Sequence, residues 1–241
     1  DKSVIKRSSL KYCLSGGASL PVEILNRFEE RFKTRIYEGY GLTECSPSCI
    51  RNPIGGKTKP GSIGLPLFGF SVRVVDDSGT DVEKGEVGEL IVKGPGVMKG
   101  YLNRPEETSK TVVDGWLHTG DMARMDKEGY VYIMDRKKDL IIRGGYNVYP
   151  REIEEVLFRH PNVADATVYG VPHEDLGEEI AAAVVLKDGD EMTSEDLRQF
   201  VKGRVAPYKY PRIIHMLDHL PKSDTGKVLK RELRKGLSKT L

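Results

Sequence analysis

Cysteine is scarce in this sequence. Its three copies, Cys13, Cys45 and Cys49, form no CxxC pair and have no histidine at the spacing of a zinc ligand. An odd number of scattered thiols predicts neither a disulfide framework nor a metal knuckle. We therefore expect free thiols in a reducing compartment, and we predict a cytoplasmic protein.

Long hydrophobic runs are also missing. No stretch approaches the ~20 apolar residues that cross a bilayer, and the opening DKSVIKRSS lacks the apolar core of a signal peptide. The sequence thus predicts no transmembrane segment. Because Asp1 is not an initiator residue, we expect the chain to derive from something longer, as a proteolytic product or a deliberately cut piece.

The sequence also lacks an excess of positive or of negative charge. Lysine and arginine number 38 against 36 acidic residues, and no broad basic stripe is present. This balance argues against nucleic acid as a main partner. The 241 residues are enough for two ordinary domains, each with its own core.

Glycine-spaced turns are what the first part of the chain does contain. Leu10–Leu14 predicts a short strand that runs into Ser15–Ala18, after which Ser19 can cap a helix. The helix would bury one apolar face that carries Leu25, Phe28 and Phe32. The pattern indicates a strand, a glycine turn and a helix.

A second glycine-spaced turn, Glu38–Glu44 with the sequence EGYGLTE, is typical of a phosphate site. Freed backbone N–H groups and the Thr43 hydroxyl could face an anion. Glu44 would repel that anion unless a divalent cation lay between them. A plain structural β-turn is the alternative.

The nearby Gly56-Lys57-Thr58 resembles the end of a P-loop, but it lacks the upstream glycine that a P-loop requires, so the sequence predicts no P-loop there.

The segment from Phe70 to Met134 has the period of strands throughout, which predicts a small antiparallel barrel or sandwich. Near its end, Asp121 follows Gly120 at a strand end. A carboxylate in that place can accept hydrogen bonds from two ribose hydroxyls. The alternative is that Asp121 only forms a turn.

A structural boundary is predicted within Asp135–Glu154, which reads DRKKDLIIRGGYNVYPREIE. A charged run gives way to Leu140–Ile142, which we expect to be one buried strand. Gly144 and Gly145 can take positive φ and suit a two-state joint or a ligand tunnel, although an ordinary loop fits equally well. Pro150 opens a helix with acidic residues at its positive end.

Beyond this boundary, helices and strands alternate in a compact α+β unit of roughly a hundred residues. Thr193 or Ser194 is expected to open its second helix, and Lys227 stands on a polar glycine turn before a short last helix. The predicted helices are 152–160 and 195–205, and the predicted strands are 164–171, 180–186 and 212–217.

Five stretches in register resemble the acyl-adenylate-forming (AMP-binding) superfamily, which includes acyl-CoA synthetases, firefly luciferase and the adenylation domains of peptide synthetases. They are YEGYGLTE (37–44), KPGSIGLP (59–66), GELIVKGPGVMKGY (88–101), GWLHTGD (115–121) with the DRKKD segment behind it, and LPKSDTGKVLKREL (220–233). Together they cover nearly the whole chain. The resemblance is to the C-terminal portion of such an enzyme, because the family's upstream Ser/Thr/Gly-rich phosphate loop is absent.

The resemblance implies an α+β fold in three parts. Residues 1–66 would be the C-terminal part of the large AMP-binding α/β domain, the end of an α/β sheet. Residues 67–136 would be its small antiparallel β-barrel subdomain, and residues 137–241 a mobile C-terminal α+β lid domain.

The resemblance also implies roles for individual residues. Thr43 would hold the α-phosphate of ATP, and Glu44 would bind Mg²⁺. Asp121 and Arg136 would bind the ribose hydroxyls, with Ile133 beside them. The adenine, with Tyr40 stacked on it, would be framed by Gly17, Ala18, Glu38, Gly39, Tyr40 and Gly41.

Three positions of the last domain are implied in the same way. Lys138 would be the hinge about which the domain turns, and Lys227 the catalytic lysine of acyl-adenylate formation. Arg143, Gly144 and Gly145 would line the tunnel for CoA.

The function that the resemblance implies is AMP-forming acyl-CoA synthesis, with ATP, CoA and a carboxylic acid as substrates, and we expect the acid to be a fatty acid. This chain alone is expected to be inactive. Alternatives are an adenylation domain that loads a carrier protein, an oxidative luciferase relative, and a non-catalytic AMP-binding module. Retention of Glu44, Asp121 and Lys227 argues against the last of these.

Overall fold

The computed structural model describes residues 9–224 and 226–237. The chain divides into two compact units, Asp1–Lys137 and Lys138–Leu241. Both units mix helices with sheets, so the predicted α+β class is confirmed. The boundary lies within a single 3₁₀ turn, Lys137–Asp139.

The first sheet of unit 1 has the strand order β1-β2-β3-β4. Strands β1 and β2 are parallel, and the helix α1 between them supplies the crossover that a parallel pair requires. The remaining pairs of this sheet are antiparallel. The bounds are β1 (Tyr12–Ser15), α1 (Val22–Phe32), β2 (Arg35–Tyr40), β3 (Ile50–Arg51) and β4 (Leu65–Pro66).

The predicted start of α1 was wrong. The residue before the helix is Pro21, whose ψ of 136° is extended, and no side chain caps the helix. Ser19 therefore lies too far upstream to reach the first turn. Of the predicted apolar face, Leu25 is buried, whereas Phe32 is 38% exposed and stacks on Phe28 with ring centroids 4.5 Å apart.

The second sheet of unit 1 is an antiparallel half-barrel, as the alternating pattern predicted. Its order is β5-β6-β8-β7, with β9 also paired to β8. Both β7 and β9 can pair with β8 because they pair with different segments of that strand. The bounds are β5 (Ser71–Val75), β6 (Val87–Lys93), β7 (Val112–Val113), β8 (Trp116–Met125) and β9 (Val131–Arg136).

A short helix, α2 (Pro105–Thr111), interrupts this region, so the prediction of strands throughout was wrong there. The local signals favour the helix: proline fills its first position, and Glu106 and Glu107 follow at the positive end of the helix dipole. None of its residues is buried. It therefore has no apolar periodicity to reveal it.

The two sheets of unit 1 share one hydrophobic core. Ile50 and Ile63 pack in the same cluster as Leu90, Leu117 and Val131 of the half-barrel. The Ser62 hydroxyl donates to the Val131 carbonyl over 2.8 Å, and Gly64 forms an isolated β-bridge with Val131. The first sheet is thus fixed directly against Val131, the first residue of β9.

Unit 2 is built on one mixed sheet of order β11-β10-β13-β12, with β14 parallel to β13. The predicted helices and strands of this unit are all present. The bounds are β10 (Ile141–Arg143), β11 (Tyr146–Val148), α3 (Pro150–Phe158), β12 (Val163–His173), β13 (Gly177–Leu186), α4 (Ser194–Lys202), β14 (Ile213–Met216) and α5 (Lys230–Leu237).

Two local predictions in unit 2 have different outcomes. Thr193 caps α4, since its hydroxyl accepts from the Asp196 N–H, and this prediction is confirmed. The stretch Leu140–Ile142 was predicted to be buried throughout, but Ile142 is 53% exposed while Ile141 is fully buried. Successive side chains of a strand point to opposite faces, so only one of the two isoleucines reaches the core.

The sheet of unit 2 has an apolar layer on each face. Ile153, Leu157 and Leu197 of the helices pack with Val168 and Ile180 in one cluster. In the other, residues of the C-terminal segment, including Leu220 and Leu233, cover the remaining side chains of β12 and β13, namely Tyr169, Val171, Ala181 and Ala183. Both faces of the sheet are therefore covered, and the segment that carries Lys227 is part of the core.

Within residues 9–224 and 226–237, the longest apolar helical stretch falls short of what a membrane crossing needs.

The phenol of Tyr169 gives a stability prediction. Tyr169 is fully buried, its hydroxyl has no hydrogen-bond partner in the described part of the chain, and burial raises its pKa to about 12. A buried unsatisfied polar group costs about 1–3 kcal/mol. Tyr169→Phe should therefore increase the free energy of unfolding of unit 2 by about 1 kcal/mol, measured by urea titration with peptide-resolved hydrogen exchange.

Tyr130→Phe is the matched control, because the same atom is removed from a phenol that is also buried. The Tyr130 hydroxyl donates to the Lys57 carbonyl over 2.6 Å. Its loss should destabilise unit 1 by about 1 kcal/mol. A destabilising Tyr169→Phe would contradict the assignment of an unsatisfied hydroxyl.

Candidate functional site

The carboxyl ends of β1 and β2 bring the first group of predicted site residues together. Ser15 pairs with Glu38, so the turn with Gly17 and Ala18 leaves β1 at the same edge where Gly39 and Tyr40 end β2 and Gly41 follows. A Cβ added to Gly16 would lie 3.2 Å from the Gly39 carbonyl. Ligands of α/β sheets bind outside the carboxyl ends of parallel strands, which is where this edge lies.

Gly41 is required by close packing. A Cβ at this position would lie 1.7 Å from the Pro47 carbonyl oxygen, so no other residue fits without moving the backbone. The chain then enters a 3₁₀ turn, Thr43–Cys45, whose start is held by the Cys45 thiol against the Leu42 backbone. The predicted phosphate turn is therefore a rigid, tightly packed structure.

Asp121 is the central charge of this region. It is only 4% exposed and lies on β8 opposite Arg136 of β9, whose guanidinium Nε is 3.5 Å from Asp121 Oδ1. The Tyr40 hydroxyl donates to Asp121 Oδ2 over 2.5 Å. Residues from β2, β8 and β9 therefore converge on one buried carboxylate.

The backbone of β8 is shaped to present this carboxylate. Gly120 has a φ of 69°, and the pairing of β8 with β9 shifts register between Met122 and Ala123. The Asp121 N–H donates to the Thr119 hydroxyl, which donates in turn to the Leu90 carbonyl. Irregular strands of this kind often aim a side chain at a functional site.

The Tyr40 phenol is a permanent donor to this carboxylate. Burial, followed by the charge of Asp121, raises its pKa far above the ordinary value. It therefore keeps its proton at physiological pH. The contact between Tyr40 and Asp121, 81 residues apart, was not foreseen.

Glu44 is held by a second phenol that sequence reasoning missed. The Tyr101 hydroxyl donates to Glu44 Oε1 over 2.8 Å, and the Met98 N–H donates to the Glu44 carbonyl over 2.8 Å. The hydrogen bond to Glu44 raises the pKa of Tyr101. Tyr101 closes the GELIVKGPGVMKGY stretch, so the resemblance had marked it without a role.

A metal at Glu44 would have one protein carboxylate as its ligand. In the described residues, no group of three or more His, Cys, Asp or Glu side chains could hold a cation. Mg²⁺ is commonly bound through one or two carboxylates together with substrate phosphates and water. A single half-buried glutamate beside the exposed Thr43 fits that donor set.

Ile133 has a role in the core of unit 1. It lies on β9 opposite Ala123 and packs, half-buried, against the central cluster. Its place in the strand puts it three residues before Arg136.

In unit 2, Lys138 is the first residue and lies in the 3₁₀ turn Lys137–Asp139. Gly144 and Gly145 form the two-residue turn between β10 and β11, with φ of 55° and 82°. Positive φ at both positions is the hairpin geometry that glycine adopts most readily.

The Arg143 side chain is paired within unit 2. Its Nε and Nη2 donate to Glu179 Oε1 and Oε2 over 2.6 and 2.9 Å, which is a bidentate pair. Burial acts to raise the pKa of Glu179, but the bond to Arg143 prevails and the pKa is lowered. The guanidinium is therefore fixed. In the adjacent turn, a Cβ added to Gly145 would meet nothing within 4 Å, whereas one added to Gly144 would contact Leu176 at 3.5 Å.

Lys227 is exposed on a turn that its own backbone closes. The Ser223 N–H donates to the Lys227 carbonyl over 2.8 Å, and Lys222 bridges to Val228. Ion pairs fix both sides of this turn to the rest of unit 2: Lys222 to Asp165, Lys230 to Glu154 and Arg234 to Asp139, at 2.5, 3.0 and 3.2 Å. Lys227 thus extends from a well-anchored support.

The chain is similar to known acid–thiol ligases. It is 50% identical over 227 residues to a long-chain-fatty-acid–CoA ligase of Bacillus subtilis, covering 94% of this chain and 40% of that protein. It is 42% identical over 229 residues to a feruloyl-CoA synthase of Amycolatopsis, covering 95% of this chain and 46% of that protein.

Among solved structures, ATP-bound MatB from Rhodopseudomonas palustris matches with a TM-score of 0.90 and 35% identity over 98% of this chain and 48% of that one. An anthranilate CoA ligase in complex with anthranoyl-AMP matches with a TM-score of 0.91 and 30% identity, covering 100% of this chain and 48% of that one. The chain thus spans about 40% of the length of its curated long-chain ligase relatives.

Family models agree with these relatives and with the resemblance seen in the sequence. Residues 2–102 match the AMP-binding enzyme family, and residues 152–227 match the AMP-binding enzyme C-terminal domain. On the two models and the relatives together, this chain belongs to the AMP-binding enzymes, the acyl-adenylate-forming superfamily.

Proposed function

We propose that this chain is part of an AMP-forming acyl-CoA synthetase, in which it binds the nucleoside and supplies groups for both half-reactions. The observation that carries the proposal is the buried Asp121 between the Tyr40 hydroxyl and the Arg136 guanidinium. Asp121 lies in the middle of β8 and not at a strand end as predicted, but it is buried and hydrogen-bonded to Tyr40, the last residue of β2. A carboxylate in this position is suited to accept hydrogen bonds from ribose hydroxyls.

The first half-reaction joins a carboxylate to the α-phosphorus of ATP and expels pyrophosphate. Two anions must approach each other, so positive charge and hydrogen-bond donors are required at the phosphate. We assign the α-phosphate contact to the exposed Thr43 hydroxyl and the added positive charge to Lys227. A Mg²⁺ ion held by Glu44 would neutralise phosphate charge.

The second half-reaction moves the acyl group from AMP to the thiol of CoA. We assign the approach of the thiol to the backbone at Gly144 and Gly145, where both φ are positive, no side chain projects, and the space around Gly145 is open. Arg143, fixed by Glu179, would keep the hairpin in place. Lys138, at the start of unit 2, is proposed as the hinge between the two half-reactions.

The acid substrate is proposed to be hydrophobic, and a fatty acid in the first instance. Support comes from relatives that are named long-chain-fatty-acid–CoA ligase and feruloyl-CoA synthase.

The free thiols Cys13, Cys45 and Cys49 support a reducing compartment such as the cytosol.

Lys227→Ala tests the assignment of the first half-reaction. The protein would be a chimera in which these 241 residues replace the matching stretch of the Bacillus subtilis ligase. Loss of a positioned charge should slow acyl-adenylate formation by about two to three orders of magnitude. Thioester formation from supplied acyl-adenylate should be preserved, as measured by separate single-turnover assays.

Lys235→Ala is the control, because it removes an exposed lysine of α5, eight residues from Lys227 in the same segment. It should leave both half-reactions unchanged. Equal loss in both half-reactions for Lys227→Ala would overturn the assignment.

A pyrophosphate-release assay on the 241-residue chain itself is a further test. With ATP, CoA and a panel of fatty acids, turnover should stay far below ordinary rates of about 1 per second. In-line geometry depends on a grip on the β- and γ-phosphates, and this sequence contains no glycine-rich phosphate loop with its lysine. Turnover at ordinary rates would show that the groups named here suffice.

A further inference from the structure

The contact between Tyr101 and Glu44 links two segments that are 57 residues apart, and none of the proposed steps uses Tyr101. The phenol donates to one carboxylate oxygen, Oε1. The main chain beside it acts in the same direction, since the Met98 N–H donates to the Glu44 carbonyl. Residues 98 to 101 thus fix both the backbone and the side chain of Glu44.

Tyr101 is itself held in place by α2. Its N–H donates to the Thr108 hydroxyl over 2.9 Å, and that hydroxyl donates to the Arg104 carbonyl over 2.8 Å. Gly100 makes the approach possible, because a Cβ there would lie 2.6 Å from Thr108 Cγ2. The helix therefore serves to place one phenol.

The direction of the hydrogen bond matters for the chemistry. Glu44 Oε1 accepts the hydrogen bond, so the side-chain torsions that place this carboxyl group are restricted. A metal ligand restrained in this way loses less conformational freedom on binding the ion. Groups that orient a ligand from behind typically contribute 10–100-fold to metal affinity.

We infer that Tyr101 is a positioning residue, which orients the Glu44 carboxylate for a nucleotide-bound divalent cation. The inference rests on the proposed function, because that proposal makes Glu44 the ligand of the ion. It adds a residue and a mechanism: the short helix α2 determines metal affinity through Thr108 and Tyr101.

The test is the binding of Mn²⁺ in the presence of ATP, followed by electron paramagnetic resonance on the 241-residue chain. Tyr101→Phe keeps the ring and removes the donor, and it should weaken Mn²⁺ binding about 10-fold. Tyr132→Phe is the matched control, since it removes a phenol that donates to another carboxylate of unit 1, Asp126. Its Mn²⁺ affinity should equal that of the parent.

Glu44→Gln separates this inference from the proposed function. If Glu44→Gln leaves Mn²⁺ affinity unchanged, the metal assignment itself is wrong. If Glu44→Gln weakens binding and Tyr101→Phe does not, the positioning role alone is wrong.

The Mn²⁺ affinity of the double variant Tyr101→Phe/Glu44→Gln distinguishes a positioning role of Tyr101 from a merely structural one. If Tyr101 acts through Glu44, adding Tyr101→Phe to Glu44→Gln should not change Mn²⁺ affinity further, because the carboxylate that Tyr101 orients is already gone. A full additional loss in the double variant would show that Tyr101 acts elsewhere, and would overturn the inference.

Discussion

A carboxylate removed from water is the constraint on which unit 1 depends. Asp121 is 4% exposed, and removing an ion from water costs several kcal/mol unless partners compensate. Its partners come from other strands: the phenol of Tyr40 and the guanidinium of Arg136. The shared core of the two sheets, and the bridge from Gly64 to Val131, maintain the spacing that these contacts need.

The same principle, a functional group supported by buried neighbours, applies in unit 2. Lys227 is exposed, yet the segment on either side of it is anchored by Leu220 and Leu233 in the core and by the ion pairs of Lys222 and Lys230. Gly144 and Gly145 lie on a hairpin whose Arg143 is locked to Glu179. The residues proposed to meet an approaching ligand thus lie on short turns with rigid support.

Sequence reasoning succeeded where the signal is local. The capping residue Thr193 and the elements of unit 2 follow from alternation, caps and proline positions within a few residues. It failed where an adjacent residue or a neighbouring strand determines the local structure. Pro21 overrides the nearby Ser19 as the start of α1, and the edge hairpin leaves Ile142 in solvent. The helix α2 buries nothing, so it carried no apolar pattern.

The candidate site divides in the same way. Local motifs pointed to Asp121 and Glu44, and the resemblance added Arg136. The contacts of Asp121 with Tyr40 and of Glu44 with Tyr101 join residues 81 and 57 positions apart, which no local pattern encodes. The resemblance gave Tyr40 a stacking role, and the structure adds a hydrogen bond from its hydroxyl to Asp121. Tyr101 was visible only as the end of a motif.

The most direct test of the account is titration of this chain with AMP, followed by hydrogen exchange. The account predicts slower exchange in the 38–44 segment and around Asp121. It further predicts that Asp121→Asn weakens AMP binding by at least about 10-fold, as expected for hydrogen bonds to a charged group. Asp126→Asn, which alters a carboxylate paired to Lys59 in the same unit, should bind normally. Unchanged AMP affinity in Asp121→Asn would contradict the central claim that this buried carboxylate is the nucleoside site.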